Sequence, residues 1–257
     1  MELKDLQPIK IGEMVRVGDK EDGGYVIPAH FKNSRLNLIS VGLGDNWSFE
    51  TKGKGIFFDK FISVDHTVSL SSILIRLLKR IASMKISIST TFYFLKLLKN
   101  YLNTFFLKRN THVRKKLVSA STKLVKNEIT LGECISMTDG KKNALKIDIE
   151  GDEYKIIEDV CRYSEKIELL IMEFHETARR EQEFSNSISR LKEFFDLVHT
   201  HGNNFDVVAS NGIPNVVELT FVNRNVLRGE YEKIEKLPLP KIDFPCNPGK
   251  ADIDLNF

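Results

Sequence analysis

Two acidic clusters carry the densest chemistry in this chain. The first is Leu145-Lys-Ile-Asp148-Ile-Glu150-Gly151-Asp152-Glu153, an apolar run that ends in carboxylates, a glycine and a helix start. Carboxylates at the carboxyl end of a sheet strand lie where open α/β sheets bind ligands. Side chains alternate along a strand, which puts Asp148 and Glu150 on one side of its end and lets both line one cleft. Helix capping would use Asp148 as the cap and favour Glu150, Asp152 and Glu153 nearby, but four acids in six residues exceed that need. The second cluster is Ile171-Met172-Glu173-Phe174-His175-Glu176, where Glu173 and His175 alternate in the same way. A histidine beside carboxylates at strand ends can act as a general base, or it can ligate a metal together with Asp148 or Glu150.

A third group is Ser40-Val41-Gly42-Leu43-Gly44-Asp45-Asn46, which closes an apolar run with a glycine turn ahead of a helix start near Ser48. Glycines let a backbone approach a ligand closely, and a helix N-terminus offers free N–H groups. A dinucleotide fingerprint would place a third small residue where Trp47 stands, which points away from NAD and towards a nucleoside cofactor whose pyrophosphate needs no cradle. Asp65 follows about 20 residues after the glycine turn, at the end of the run 61–64. There a carboxylate can accept hydrogen bonds from both ribose hydroxyls.

These residues need a scaffold of strands. Asp22-Gly-Gly before Tyr25-Val-Ile reads as a tight turn into a strand that stops at Pro28. Further strands are predicted at 36–41, 61–64, 144–147, 168–172, 205–208 and 216–222, several near-continuously apolar, as in a parallel sheet covered on both faces. Helical spacing links Tyr154, Ile157, Val160 and Cys161, and likewise Ile188, Leu191, Phe195 and Val198 in a helix starting after Ser185. Such alternation predicts a doubly wound α/β sheet. The tail 237–257, with Pro238, Pro240, Pro245 and Pro248, is expected to lie extended over the surface.

The 257 residues carry a formal charge of only +3, yet no Asp or Glu occurs between His66 and Asn127, where 13 Lys/Arg fall. The segment 66–127 is therefore expected to be a basic, amphipathic helical insertion, with stripes at Leu74, Leu77, Leu78 and Ile81 and at Leu95, Leu98, Leu102 and Phe105. It divides the core into 1–65 and 128–236. The composition, 42% hydrophobic and 9% aromatic, excludes disorder. Cys134, Cys161 and Cys246 are too scattered for a disulfide framework or a CxxC zinc site, and neither a signal peptide nor a spanning helix is evident. A cytoplasmic location follows as the expectation, with contact at the inner membrane face as a further option.

In this order, Val-Gly-x-Gly, strand-end Asp65, Lys146-Ile-Asp-Ile-Glu-Gly-Asp-Glu153 and Ile-Met-Glu173-Phe, the chain resembles the FkbM-type S-adenosylmethionine-dependent methyltransferases. The Lys146–Glu153 run is the most specific match. Ile129-Thr-Leu131 is similar to the short strand that leads to it, and the segment from Val17 to Pro28 is similar to a branch with an Asp-Gly-Gly-Tyr element. The resemblance covers about 10–65 and 128–222. It implies a class I methyltransferase (Rossmann-like) sheet of seven strands with the last antiparallel, and methyl transfer to a hydroxyl of a sugar or other small metabolite. It further implies that Gly42, Gly44 and Asp45 line the methionine end of S-adenosylmethionine, that Asp65 holds the ribose, and that Asp148 to Glu150 face the transfer centre. Gly-Leu-Gly-Asp-Asn departs from the family's usual Gly-Ala-Asn-x-Gly turn, which leaves open which turn residue meets the methionine.

Asp148, His175 and Glu150 are thus the catalytic candidates, with Asp148 and His175 competing as base; Tyr25, Glu173 and His175 are the candidate acceptor contacts. No residue is assigned to a metal, although a divalent ion is compatible with the acids. The basic segment favours an anionic acceptor, such as a phosphorylated or nucleotide-linked sugar, an acidic polysaccharide or a lipid-linked glycan, and a peripheral contact with anionic membrane. Nucleic acid is not expected, because no Asn/Asp-Pro-Pro-Tyr motif occurs and the aromatics fall on helical core spacing. An NAD(P)-dependent oxidoreductase, and a membrane- or polymer-binding module with a degenerate cofactor site, are the rival readings.

Overall fold

A computed structural model describes residues 1–83, 87–108, 110–140 and 142–257; the parts of the basic segment at 84–86 and 109 lie outside the described residues. In chain order, a hairpin of β1 (Met14–Val17) and β2 (Tyr25–Pro28) precedes β3 (Leu36–Val41), helix α1 (Ser48–Gly53) and β4 (Phe58–Val64). Helices α2 (Leu70–Ala82) and α3 (Ile88–Tyr101), the latter continued by a π-helical turn at Leu102–Leu107, lead to β5 (Thr111–Val113). Next come β6 (Lys116–Leu117), β7 (Glu128–Ile129), α4 (Leu131–Ser136) and β8 (Asn143–Ile147). A 3-10 turn runs into α5 (Ile157–Arg162), followed by β9 (Ile167–Phe174), α6 (Glu181–Leu191), β10 (Phe195–Gly202) and β11 (Val217–Asn223). The tail adds β12 (Lys236–Leu237) and β13 (Leu255–Asn256).

The seven-stranded sheet has the order β10-β11-β9-β8-β3-β4-β5. Only β11 runs against its neighbours; β3, β4, β5, β8 and β9 pair in parallel. Both faces are covered, which is why the central strands are mostly apolar and nearly every residue in them is buried. Ile39, Val64, Leu145, Ile147, Leu170 and Met172 pack with α4, α5 and α6 on one face. Leu38, Phe61, Ala144, Leu169 and Ile171 pack with the β1–β2 hairpin and α1 on the other. Full burial of each such side chain stabilises by about 1.5–3 kcal/mol.

Three expectations change. The helix predicted through Phe195 and Val198 stops at Leu191, and both residues belong to β10. Their spacing from Leu191 matches a helix only by coincidence; in β10 every residue but Asp196 is buried because the strand is covered on both faces. No strand forms at 205–208, where Phe205 and Val207 are exposed and only an isolated Val208–Pro214 bridge occurs. Finally, 66–127 is not one inserted unit, because β5 inside it completes the sheet against β4. What projects is α2, α3 and the π turn. Their expected core stripes are split: Leu77, Leu98 and Phe105 pack against the body, but Leu74, Leu78, Ile81, Leu95 and Leu102 face outward. The buried positions are Ile73, Phe94, Leu97 and Tyr101, which pack with Leu43 and Trp47.

The tail is more firmly tied than an extended surface segment would be. His201 Nδ1 lies 2.9 Å from Glu218 Oε2, its Nε2 lies 3.1 Å from Asp252 Oδ1, and Cys246 packs beside them, while His199 Nε2 lies 3.1 Å from Asp243 Oδ2. Burial opposes a charge on His201, but its bonds to Asp252, Cys246 and Glu218 outweigh it and raise its proton affinity well above the ordinary value. A raised histidine stabilises the fold fully below about pH 6.5 and loses that contribution as pH rises through the folded-state value. Asp243 is the reverse case: burial raises it, but the His199 charge and hydrogen bond prevail and lower it, so its contribution fades in acid. Hydrogen-exchange protection of 237–257 should therefore fall at alkaline pH, and Asp252→Asn should bring that fall to lower pH. Protection unchanged by alkali in both proteins would remove this account.

Candidate active site

Strand register decides which residues meet. Val64, Val41, Ile147 and Met172 are in register across β4, β3, β8 and β9, and the antiparallel pairs continue this row through Leu219 and Thr200. The next residue along the parallel strands forms a second row: Asp65, Gly42, Asp148 and Glu173, extended by the partners Glu218 and His201. Neighbours in such a row point to the same face. Four acids and a histidine are thereby lined up along the carboxyl edge of the sheet, although they are up to 153 positions apart in the chain.

Two cavities open on this edge and share Gly44, Thr67, Asp148 and Glu150. One, of about 270 Å³, is walled by Val41, Val64, Leu117 and Ile149 with His66, Lys115 and Lys116 at its side. The other, of about 460 Å³, is lined by Asp22, Tyr25, Asp45, Lys146 and Arg76 together with the shared residues. The first has the apolar walls and polar edge that suit a nucleoside. Gly44, at φ +57°, faces open space, so a side chain there would project into a ligand. Gly42 is needed for a different reason. At its φ of +80°, a Cβ would collide with the Asp148 carbonyl, so this glycine allows β3 and β8 to close together at the cleft floor.

Asp65 lies in the first cavity, but its oxygens are engaged. Oδ2 accepts from the N–H groups of Leu43 (2.8 Å) and Gly44 (3.2 Å), and Oδ1 accepts from Thr67 N–H and Oγ1 and from Val68 N–H. Burial raises its proton affinity, but these donors prevail and lower it. Asp65 therefore shapes the glycine turn, and a ribose would have to share or displace these donors. Asp45 is likewise engaged: Arg76 grips it with two bonds of 2.8 and 2.7 Å, and Tyr93 donates at 2.5 Å. Burial works against its charge, but the Arg76 and Tyr93 bonds dominate and hold its carboxyl below the usual range. Trp47, whose place in the turn argues against a dinucleotide, donates from Nε1 to Thr104 at 3.1 Å and packs on Tyr101 and Phe105. Asp45 and Trp47 thus anchor the projecting helices to the cofactor-side loop.

At the centre, Tyr25 donates to Asp148 (3.2 Å) and approaches Glu173 (3.5 Å), which also accepts from Asn203 at 2.9 Å. Lys146 Nζ donates to the Gly42 carbonyl at 3.0 Å and lies 3.8 Å from Glu50 and 3.7 Å from Asp148. Burial opposes the Lys146 charge, but Glu50, Asp148, Glu173 and Asp22 outweigh it and keep it protonated. Glu173 is driven well above the carboxylate range, first by burial and then by Asp148 and Glu218, which favours its neutral form. His175 completes the cluster. Its Nδ1 lies 2.8 Å from Oε1 of fully buried Glu153, which also accepts from the N–H groups of Ile149 and Gly151. A carboxylate only accepts, so the proton sits on Nδ1. Nε2 lies 3.4 Å from Glu150 and 4.0 Å from Asp148, which line both cavities, and 3.9 Å from Glu173. His175 itself is behind these acids and lines neither cavity. Burial lowers its basicity, but the Glu153 bond and charge, with Asp148 and Glu150, reverse this and raise it. Glu150 adopts φ +55°, a conformation that costs a non-glycine residue energy and that recurs at functional turns.

All the expected site residues thus gather on one sheet edge, while Asp45 and Asp65 serve the turn itself. Lys146, Glu50, Glu153, Arg76 and Asp22 were not among the candidates. A lone lysine between Leu145 and Ile147 in a buried strand is a legible sign of a charge that needs partners. Nothing local marks Glu50 or Arg76. The second cavity also revises the anionic acceptor expected from the basic segment. Asp22, Asp45, Asp148 and Glu150 line it, and its cations Lys146 and Arg76 are already paired. An anionic group would be repelled at this centre.

A doubly wound sheet in this strand order, with its last strand reversed and its site at the carboxyl edge, is the class I methyltransferase fold. Antiparallel β11 between β9 and β10 also breaks the parallel 3-2-1-4-5-6 order of dinucleotide-binding sheets. No protein-family model and no curated protein matches the chain. Among solved structures it is similar to one of a fibrillarin/Nop5p complex, at 8% identity over 74% of each chain and a TM-score of 0.36. A Methanococcus jannaschii fibrillarin pre-rRNA processing protein is 10% identical over 84% of this chain and 87% of that one, with a TM-score of 0.39. M. jannaschii TYW2 in complex with AdoMet is 10% identical over 83% and 89%, with a TM-score of 0.33. Likeness this distant says nothing of substrate.

Proposed function

We propose that this chain is an S-adenosylmethionine-dependent methyltransferase of the FkbM type that methylates a hydroxyl of a sugar or similarly hydroxyl-rich acceptor, in the cytoplasm and in surface-polysaccharide or related biosynthesis. The observation that supports it best is the single sheet edge on which a glycine turn, a nucleoside-sized cleft and a histidine–carboxylate cluster meet. When bound, the cofactor supplies a methyl group on a sulfonium. Val41, Gly44, Val64, Leu117 and Ile149 would hold it. In the adjoining cavity, Asp148 and Glu150 suit a polyol, since carboxylates accept hydrogen bonds from neighbouring hydroxyls. Any anionic part of the acceptor belongs outside, near Lys115 at the side of the first cavity, since the neighbouring Lys116 is paired with Asp152 at 2.6 Å.

His175 is the preferred base. Its Nε2 would take the proton that the acceptor hydroxyl loses on methylation, while Glu153 holds the ring and would stabilise the imidazolium. Asp148, fixed by Tyr25 and Lys146, positions the hydroxyl. The donor atoms of Asp148, Glu150 and His175 are also close enough to bind one divalent ion. The two roles of His175 exclude each other, because a ligating Nε2 cannot accept the proton. Activity should therefore persist in EDTA, and its complete loss would reassign His175 as a ligand.

Calorimetric titration with S-adenosylmethionine tests the cofactor reading directly. One-site binding is expected, with no thermal shift from NADH. Absence of binding, or a shift with NADH alone, would overturn it. Product analysis against free sugars, nucleotide-linked sugars and RNA then decides the acceptor class.

A further inference from the structure

We propose that the outward face of α2, α3 and the π turn docks in the plane of an anionic lipid bilayer. Each helix uses one face to grip the body: Ile73 on α2, and Phe94, Leu97 and Tyr101 on α3, pack with Leu43 and Trp47. The other face is apolar and open. On α2 it holds Leu74, Leu78 and Ile81, and on α3 it runs from Ile88 through Phe92 to Leu95, each at spacings of four and three residues. Leu78 is 62% exposed, Phe92 68% and Ile88 79%, and the stripe resumes past Lys99 at Phe106 and Leu107. Single exposed apolar residues are ordinary, but a repeated stripe on two adjoining helices marks a surface that meets something.

Charge selects what it meets. Exposed Lys79, Arg80, Lys96, Lys99 and Lys108 flank these residues, and not one acid occurs from His66 to Asn127. Apolar side chains on one face and Lys/Arg around them are the features of a helix that lies in a membrane interface. Anionic headgroups attract such cations. A second copy fits poorly, because a two-fold contact would press this acid-free surface against itself. Nucleic acid would match the charge, but Leu74, Leu78, Ile81, Ile88, Leu95 and Leu107 make the stripe mainly aliphatic, and Phe92 and Phe106 alone are few for a run of stacked bases. Among the described residues no helix is long and apolar enough to cross a membrane, which agrees with docking on the surface. The same two helices carry Arg76 and Tyr93 to Asp45, so the surface that would meet lipid is coupled directly to the glycine turn.

The test is flotation of the full chain with phosphatidylcholine vesicles, with and without phosphatidylglycerol. Anionic vesicles should retain at least about tenfold more protein than neutral ones, less so at high salt. Leu78→Glu/Phe92→Glu should lose that retention while keeping its circular dichroism spectrum and its melting temperature, since both side chains are exposed. Lys79→Glu/Lys96→Glu should weaken it through charge alone. Failure of the wild type to float with anionic vesicles, or equal flotation of the Leu78→Glu/Phe92→Glu variant, would overturn the proposal. So would a wild-type dimer that this double variant turns into a monomer.

Discussion

Replacing His175 with alanine should lower turnover by about 10²–10⁴-fold, the usual contribution of a positioned base, while S-adenosylmethionine affinity stays nearly unchanged. The nucleoside cavity does not include His175, whereas Nε2 faces Asp148, Glu150 and Glu173. The pH profile carries the sharper signature. Glu153, Asp148 and Glu150 raise the proton affinity of His175 against its burial, so turnover should climb with pH through a midpoint above the ordinary 6.5 and then level off. Glu153→Gln retains an oxygen for Nδ1–H and for the N–H groups of Ile149 and Gly151 but removes the charge. Its midpoint should fall towards or below 6.5, with the maximum rate reduced because the imidazolium is less stabilised. Asp148→Asn tests the competing assignment. If it abolishes turnover while His175→Ala leaves it intact, the base is Asp148.

Lys146→Met should be the most destabilising single change at the site. Lys146 and Glu50 are almost wholly inaccessible, and Glu50 keeps only a 2.5 Å hydrogen bond from Ser40 on Oε1, while Oε2 has no hydrogen-bond partner. Removing the cation leaves a buried, uncompensated carboxylate, a change that costs about 3–5 kcal/mol. Against a total stability of about 5–15 kcal/mol this is a large fraction, equivalent to a fall in Tm of roughly 10 °C. Lys146→Met/Glu50→Leu should recover most of it, because replacing both members of a buried pair with apolar groups is often neutral. Thermal unfolding of the two variants and the wild type reads the result directly. Equal Tm values for wild type and Lys146→Met would show that the pair does not support the strand. Unimpaired turnover in the double variant would remove Lys146 as the group that positions Asp148.

These two predictions draw unequally on what is legible in the chain. The runs 36–41, 144–147 and 168–172 declare themselves as covered strands because each is apolar at nearly every position. Glycines before a helix start, and acids clustered after strands, mark the site by local composition. Residues 195–202 mislead because a buried strand and a helix face both bring apolar residues to three-residue spacing. The stripes on α2 and α3 are visible as periodicity, but periodicity names no inward side. Trp47, Thr104 and Tyr101 settle that side by packing on the opposite face.

Amino-acid order alone thus determined the strands at 36–41, 61–64, 144–147, 168–172 and 216–222, the acid-free segment, the glycine turn and the carboxylates at the ends of β8 and β9. Tertiary structure decided their partners. Parallel pairing put Asp65, Gly42, Asp148 and Glu173 in one row, and antiparallel β11 and β10 extended it to Glu218 and His201. It also gave Asp45 to Arg76, Glu50 to Lys146 and Glu153 to His175. The reason is physical: strand and turn preferences act over a few residues, whereas the energy of a buried charge depends on which distant group shares its low-dielectric surroundings, and only the packed sheet brings those groups together.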